Sequence, residues 1–179
     1  MDEKVVAELI SIKPFEWKDW VCVGQLWAAQ LAEHGIILDP DDIPKEPEDT
    51  DRDSPEWDVD HINEIYLSGA GGFWLAWFGN KPIGQIGAQD WGGVIELRRM
   101  YVRAEYRRRR IGSCLVNALV KHCVAGGVRA IELWTHHDGP GHFMYEKHGF
   151  YKVTIKGLEV EESDDRPDQI RMRLGLEDM

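Results

Sequence analysis

An arginine-rich segment lies at the junction of a predicted strand and the most strongly amphipathic helix of the chain. The strand is predicted at Val94 to Val102, and the helix from Ile111 to Cys123 carries apolar side chains at spacings of three and four residues. Across the junction, the 13 residues from Arg98 to Arg110 hold seven arginines and one glutamate, a local charge of +6. A free basic tail has no reason to lie between two core elements. The order therefore predicts a loop that the fold holds in place.

The point where this loop meets the helix suits an anionic ligand. The first backbone N–H groups of a helix lack internal partners, and the helix dipole makes that end positive. Gly112 lets a ligand approach the backbone, and Arg107 to Arg110 add positive charge, so the predicted ligand is a pyrophosphate. By composition alone, four consecutive arginines favour a solvated surface, a localisation signal or an RNA patch. Their position between strand and helix favours the phosphate site.

The charge balance excludes several classes of protein. Lys and Arg number 21 against 32 Asp and Glu, and the net charge of −11 argues against a general nucleic-acid coat or a binder of anionic membranes. Eleven of the acids lie between Asp39 and Asp60 together with four prolines, against two basic residues, a local charge of −9. This composition predicts an acidic loop at about residues 39–58.

Cysteine usage and hydropathy indicate a cytoplasmic protein. The three cysteines are too few for a disulfide scaffold and include no C-x-x-C pair, so neither disulfides nor a metal site is predicted. Cys114 and Cys123 lie on the apolar stripe of the helix and are predicted to be core residues. The first residues lack the pattern of a signal peptide, and the longest apolar run, Phe73 to Phe78, is far shorter than the about 20 residues of a membrane span.

The remaining periodicities predict a mixed α/β (α+β) domain, because strands alternate with helices in the second half. Besides the two elements at the arginine loop, strands are predicted at Val6–Ile12, 72–78, 83–89, 130–135, 151–155 and 169–174, and helices at 16–34, 59–67 and 141–147. The pair of strands on either side of residues 79–82 is predicted to be a hairpin.

Two blocks of sequence resemble those of a known family. Arg107-Arg108-Arg109-Arg110-Ile111-Gly112 is similar to the Arg/Gln-x-x-Gly-x-Gly/Ala signature of the GCN5-related N-acetyltransferases, the GNAT superfamily, with Arg110 in place of the first glycine. Phe143-Met144-Tyr145-Glu146-Lys147-His148-Gly149-Phe150 resembles the family's Leu-Tyr-Glu-Lys-x-Gly-Phe block. The order and separation of the blocks also suit the family.

The resemblance implies one domain over residues 1–179. Its sheet is expected to be twisted and mostly antiparallel, with six to seven strands and about four flanking helices. The fourth and fifth strands are expected to splay apart, so that acetyl-CoA enters the wedge between them. Pantetheine is then expected at the backbone of Met100, Tyr101 and Val102. The expected pyrophosphate contacts are the backbone N–H groups of Arg107, Arg108, Arg109, Arg110, Ile111, Gly112 and Ser113.

The resemblance also implies two catalytic candidates. Glu96 on the fourth strand matches a position where several family members keep a catalytic glutamate, and it would accept the proton of an amine. The alternative is an acid paired with Arg98 on the same face of the strand. Tyr145 matches the family's general-acid tyrosine, and the alternative is a helix residue packed on the sheet. Where the family often has an asparagine that helps hold the cofactor, this chain has Asp138.

The implied function is transfer of an acetyl group from acetyl-CoA to a primary amine of a small molecule or peptide. The acidic loop has two interpretations: it attracts a cationic amine, or it is a solvated surface. Trp17, Trp57 and Trp91 flank loops and are candidates to line an acceptor pocket. Two further functions stay open: a non-catalytic acyl-CoA binder or sensor on the same fold, and an RNA-binding module that uses the arginine run. No nucleic-acid or membrane partner is expected, and a homodimer is left open.

Overall fold

A computed structural model of the protein describes residues 10–39, 41, 43, 45–48, 50–54, 57–155, 158–159 and 169–177. The strands in these residues are β1 (Ile10–Pro14), β2 (Gly72–Phe78), β3 (Lys81–Asp90), β4 (Val94–Val102), β5 (Ala130–His136), β6 (Tyr151–Lys152), β7 (Thr154–Ile155), β8 (Leu158–Glu159) and β9 (Gln169–Gly175). Seven of them form one sheet in the order β1-β2-β3-β4-β5-β9-β6, and β7 pairs with β8 separately. Within the sheet only β4 and β5 are parallel, which confirms the mixed α/β class and the mostly antiparallel sheet.

The described residues form five α-helices, of which two are single turns. They are α1 (Trp20–Glu33), α2 (Trp57–Asp60), α3 (Ile62–Ile65), α4 (Ile111–Ala125) and α5 (Pro140–Lys147), with 3-10 turns at Trp17–Asp19 and Ala104–Tyr106. Pro140 is the first residue of α5, where its fixed φ favours the helix and its missing N–H costs no hydrogen bond. Among the described helices, none combines the length and the apolar character that a membrane crossing needs.

The sheet separates two apolar clusters. On one side, here called the α4 face, Ile95 and Leu97 of β4 pack in one cluster with Leu115 of α4. On the other side, the α1 face, Leu26 of α1 packs in one cluster with Tyr101 of β4. Side chains alternate along a regular strand, so Ile95, Leu97 and Tyr101 would share one face. Tyr101 instead lies in the other cluster because the register of β4 shifts between Arg98 and Tyr101, and a ligand between β4 and β5 would lie between both clusters.

Two elements differ from the sequence-based prediction. The helix predicted at 59–67 is two short turns, because His61 has φ −109° and ψ 35°, outside the helical region. The strand predicted at 151–155 is divided at Val153 into β6, which pairs with β9, and β7. The first four residues of the strand predicted from Val6, and parts of the acidic loop at 39–58, lie outside the described residues.

The two cysteines of α4 also differ. Cys123 is buried in the cluster on the α4 face, as predicted, but Cys114 is exposed. The prediction was wrong for Cys114 because the buried stripe near the start of α4 follows Ile111 and Leu115. Cys114 comes between these two residues in the chain, but its side chain lies to one side of the buried stripe.

Arg110 has an unusual backbone conformation at the start of α4. It is the N-cap residue of the helix, with φ 62° and ψ 10°, in the left-handed region. Residues other than glycine adopt this backbone conformation at a cost of about 1–2 kcal/mol. The position where the family signature has its first glycine is thus one where the backbone itself favours glycine.

Replacing Arg110 by glycine should therefore stabilise the protein. The free energy gained by removing the left-handed strain exceeds the cost of the extra conformational entropy that glycine loses on folding. We expect the free energy of unfolding to rise by about 0.5–1 kcal/mol. Urea denaturation of the ligand-free protein, followed by circular dichroism, measures the change. Arg109→Gly is the matched control, because Arg109 is outside the left-handed region and the same loss of charge should bring no gain. Equal stability of the two variants would contradict the prediction.

Candidate active site

The site is built around a bulge in β4. Gln85 of β3 pairs with Tyr101, but Gly87 pairs with Arg98, so Arg99 and Met100 together face Ile86 alone. Arg99 has φ 52°, a left-handed conformation inside a strand. Such a bulge bends the strand and re-aims its side chains. It places the side chains of both Arg98 and Arg99 toward the α1 face, where both approach Asp58.

The described pairing between β4 and β5 ends before the bulge. The described pairing between them covers only Val94 to Glu96 against Ala130 to Glu132, although β4 continues to Val102 and β5 to His136. The strands therefore form a wedge whose closed end is the Glu96–Glu132 pair. Residues Met100 to Val102, expected from the family resemblance to contact pantetheine, lie on the open part of β4. An extended ligand placed there would meet the backbone groups that β4 presents toward β5.

A buried ion pair holds the bulge. Asp58 of α2 is 3% exposed and accepts hydrogen bonds from Tyr66 and from two nitrogens of Arg99, of which Arg99 Nε lies at 2.9 Å. Burial alone would raise the Asp58 pKa, but the hydrogen bond and charge of Arg99 hold that pKa below its ordinary value. The left-handed residue of β4 is thus fixed by a side chain of α2, at the end of the acidic loop predicted at about residues 39–58.

The N-terminus of α4 opens at the mouth of the wedge. The first intrahelical hydrogen bond runs from Cys114 N–H to the Arg110 carbonyl at 3.0 Å, so the N–H groups of Ile111, Gly112 and Ser113 precede it. No acidic side chain occupies the first turn of this helix. A Cβ on Gly112 would lie 2.9 Å from Met100 Cε and 2.9 Å from Met144 Sδ. Glycine therefore lets the helix end approach both β4 and α5, and this arrangement fits a pyrophosphate at the helix end.

The four arginines of the loop differ in their surroundings. Arg107 donates from Nε to the Val102 carbonyl at 2.8 Å, and it forms hydrogen bonds of 2.8 and 2.7 Å to the two carboxylate oxygens of Glu33. Tyr101 also donates to Glu33, at 2.7 Å. The Arg107 side chain thus ties the loop to the end of α1. The side chains of Arg108, Arg109 and Arg110 are exposed.

Tyr145 lies on α5 and is buried against the sheet. It is 5% exposed and packs edge-to-face on Phe150, with ring centroids 5.6 Å apart. Burial raises the pKa of its phenol well above the ordinary value, so the hydroxyl keeps its proton throughout the neutral and moderately alkaline range. Met144, the preceding residue, contacts the glycine at the start of α4. Tyr145 therefore belongs to the α4 face, next to the wedge.

Glu96 lies at the closed end of the wedge and points to the other face. It lines a cavity of about 430 Å³ that β4, β5 and β9 form on the α1 face. Trp91, a candidate pocket residue from the sequence, lines the same cavity, whereas Trp17 and Trp57 do not. Glu96 and Tyr145 thus occupy opposite faces of the sheet, and the wedge is where those faces meet. Arg98, considered as a partner of Glu96, donates to Gln89 Oε1 at 3.0 Å.

Sequence reasoning missed most of the residues around Glu96. The cavity is also lined by Glu132 and Trp134 of β5 and by Arg171 and Arg173 of β9. Residues 130–135 were predicted as a buried strand. Ile131 and Leu133 are buried, but Glu132 and Trp134, two residues apart on the opposite face, are half-buried. Arg171 and Arg173 likewise lie two residues apart on the half-buried face of β9, but the pairing of β5 with β9 had to be known before this spacing could indicate a site.

Comparison with known proteins identifies the family. A family model described as "Acetyltransferase (GNAT) family" matches residues 34–150. The chain belongs to this acetyltransferase family. It is 28% identical over 95 residues to an uncharacterized N-acetyltransferase of Methanocaldococcus jannaschii, a match that covers 48% of this chain and 42% of that protein. The chain therefore matches less than half the length of this relative.

Solved structures share the fold. An acetyltransferase from Streptococcus agalactiae has a TM-score of 0.69 at 21% identity, covering 94% of this chain and 99% of that one. YncA from Salmonella typhimurium, a putative acetyltransferase solved with acetyl-CoA, has a TM-score of 0.68 at 13% identity and covers 96% of each chain. The PaiA N-acetyltransferase of Thermoplasma acidophilum, solved with coenzyme A, has a TM-score of 0.62 at 20% identity, covering 93% of this chain and 98% of that one.

Asp58→Asn should destabilise the protein by about 3 kcal/mol at neutral pH, because the buried Arg99 loses its anionic partner. Because folding lowers the Asp58 pKa, the advantage of the wild type is complete above the unfolded value of 3.8 and is lost as the pH falls through the folded value. Urea denaturation between pH 3 and pH 7 measures both effects. Asp51→Asn, the same change at an exposed site, is the control and should alter stability little. A pH-independent difference would contradict the role of the charge.

Proposed function

We propose that the protein is an N-acetyltransferase that transfers an acetyl group from acetyl-CoA to a primary amine. The observation that carries this proposal is the wedge between β4 and β5, with the N-terminus of α4 at its mouth. This arrangement combines an extended channel with an anion site, as a pantetheine arm joined to a pyrophosphate requires. Membership of the acetyltransferase family supports it. We expect the protein in the cytoplasm and the acceptor to be a small molecule or a peptide.

Two groups of residues would hold the donor. The backbone of Met100, Tyr101 and Val102 would pair with the pantetheine arm. The N–H groups from Arg107 to Ser113 would surround the pyrophosphate, and the exposed side chains of Arg108, Arg109 and Arg110 would add positive charge. The Arg107 side chain, held by Glu33, would act by fixing the loop.

Glu96 and Tyr145 would supply the proton transfers. Bound acetyl-CoA provides the thioester, and in the transfer a C–N bond forms while the C–S bond breaks. Glu96 would take a proton from the attacking amine on the α1 face, directly or through water. Tyr145, which like any phenol is protonated at neutral pH, would give a proton to the departing sulfur on the α4 face. The two protons would thus move on opposite sides of the wedge.

The test of the proposed function combines binding with turnover. Calorimetric titration with acetyl-CoA measures the donor site, and thiol release is followed over polyamines, aminoglycosides, amino acids and peptide N-termini. We expect saturable binding and acceptor-dependent release. Binding without release from any amine would indicate a non-catalytic acyl-CoA binder. Salt-dependent RNA affinity without acetyl-CoA binding would indicate an RNA-binding module.

Tyr145→Phe should lower kcat by roughly 100-fold, because general acid catalysis commonly contributes at least that factor. The Michaelis constant for acetyl-CoA should change little, since the ring remains in place. Steady-state kinetics with the best acceptor measures both values. Tyr151→Phe, at an exposed tyrosine of β6, is the matched control. If the two variants had the same kcat, Tyr145 would not be the acid.

Glu96→Gln should lower kcat/KM by roughly 100-fold and change the shape of the pH–rate profile, because an amide cannot accept the proton of the amine. Rates measured from pH 5 to pH 10 provide the comparison. Glu64→Gln, an isosteric change at an exposed glutamate of α3, should leave the profile as in the wild type. A profile for the Glu96 variant that is parallel to the wild type would assign the base to another group.

A further inference from the structure

The cavity beside Glu96 has walls of opposite charge. On the side of β5 and β9, Glu132 accepts hydrogen bonds from Arg171 Nε at 3.0 Å and from Arg173 Nη1 at 2.6 Å. One carboxylate thus faces two guanidinium groups, which leaves this wall with a formal charge of +1. On the side of β4, Glu96 contributes −1, and the register places it directly beside Glu132.

The two arginines are held in place but remain accessible. Glu132 has a side chain only 12% exposed, whereas those of Arg171 and Arg173 are 40% and 36% exposed. A guanidinium carries five N–H donors in a planar fork, and contacts with Glu132 use one part of each fork. Glu132 therefore orients two cationic groups that line the cavity.

From this arrangement we propose that the acceptor is an amino acid, a primary amine that carries a carboxylate a few bonds away. The amine lies at Glu96 and the carboxylate at Arg171 and Arg173, while Trp91 and Trp134 provide apolar walls. A wall of charge +1 matches a single carboxylate better than a doubly charged phosphate. The volume of about 430 Å³ is in the range of small-molecule sites.

This inference rests on the proposed function, because it names the acceptor of the same site. It assigns Arg171 and Arg173 as residues that determine specificity, and Glu132 as a positioning residue that acts through them. A simple amine would leave the two guanidinium groups without an anionic ligand, so discrimination against it follows from the arginines and not from Glu96.

Matched acceptors test the inference. Thiol release is measured at saturating acetyl-CoA with a set of free amino acids, each beside its carboxamide and the amine that decarboxylation would produce. We expect kcat/KM for the preferred amino acid to exceed that for both analogues by about 10–100-fold, the range for a hydrogen bond to a charged group. Equal rates for all three compounds would overturn the inference and leave the proposed function intact. Acetyl-CoA binding without release from any acceptor would overturn the proposed function itself.

Variants assign the preference to the arginines. Arg173→Gln and, separately, Arg171→Gln should lower kcat/KM for the amino acid by about 10-fold or more, with the rate for the carboxamide and the Michaelis constant for acetyl-CoA unchanged. Lys121→Gln, the same loss of charge at an exposed site of α4, should change none of these values. Equal losses for the amino acid and the carboxamide would show a merely structural role and overturn the assignment. Circular dichroism and two independent variants guard against misfolding.

Discussion

The buried ion pair between Asp58 and Arg99 is the interaction on which the geometry of the site depends. It joins α2 to the residue of β4 that has a left-handed backbone. That conformation costs about 1–2 kcal/mol for an arginine, so it persists only because its surroundings hold it. Tyr66 donates to the same carboxylate and completes the contact. The bulge lies just after the described pairing of β4 with β5 ends at Glu96, on the part of β4 that lines the wedge. The shape of that part of the wedge therefore depends on a side chain from outside the sheet.

The two faces of the sheet have different chemical environments, and the wedge connects them. On the α4 face are the helix N-terminus, the exposed arginines of the loop and the buried phenol of Tyr145. On the α1 face is a cavity where Glu96 lies opposite the arginines of β9. In the proposed reaction the donor enters from the first face and the acceptor from the second. Each ligand then meets charges of the sign it needs, although the chain as a whole has a net charge of −11.

Local signals in the sequence indicate the parts of the candidate site that depend on backbone geometry. That Gly112 lets a ligand approach the backbone stays a prediction, whereas the structure shows that a Cβ at Gly112 would lie 2.9 Å from side-chain atoms of Met100 and Met144. The departure at Arg110 is also local, because the resembled signature has glycine at this position and the Arg110 backbone is left-handed. By contrast, nothing in the spacing of the four arginines distinguishes Arg107. Arg107 forms its hydrogen bonds with Glu33 because the fold brings the end of α1 to the loop, although Glu33 lies more than 70 residues away in the chain.

By itself the sequence determined the order of strands and helices, the place of the arginine loop between β4 and α4, and the two blocks that indicate the family. These features follow from periodicity and from residue types within a few positions, so they are readable along the chain. Only the tertiary structure decided which distant charges meet: Asp58 with Arg99, Glu33 with Arg107, and Glu132 with Arg171 and Arg173. The physical reason is that burial and strand pairing select these partners, and both are properties of the folded chain and not of local spacing.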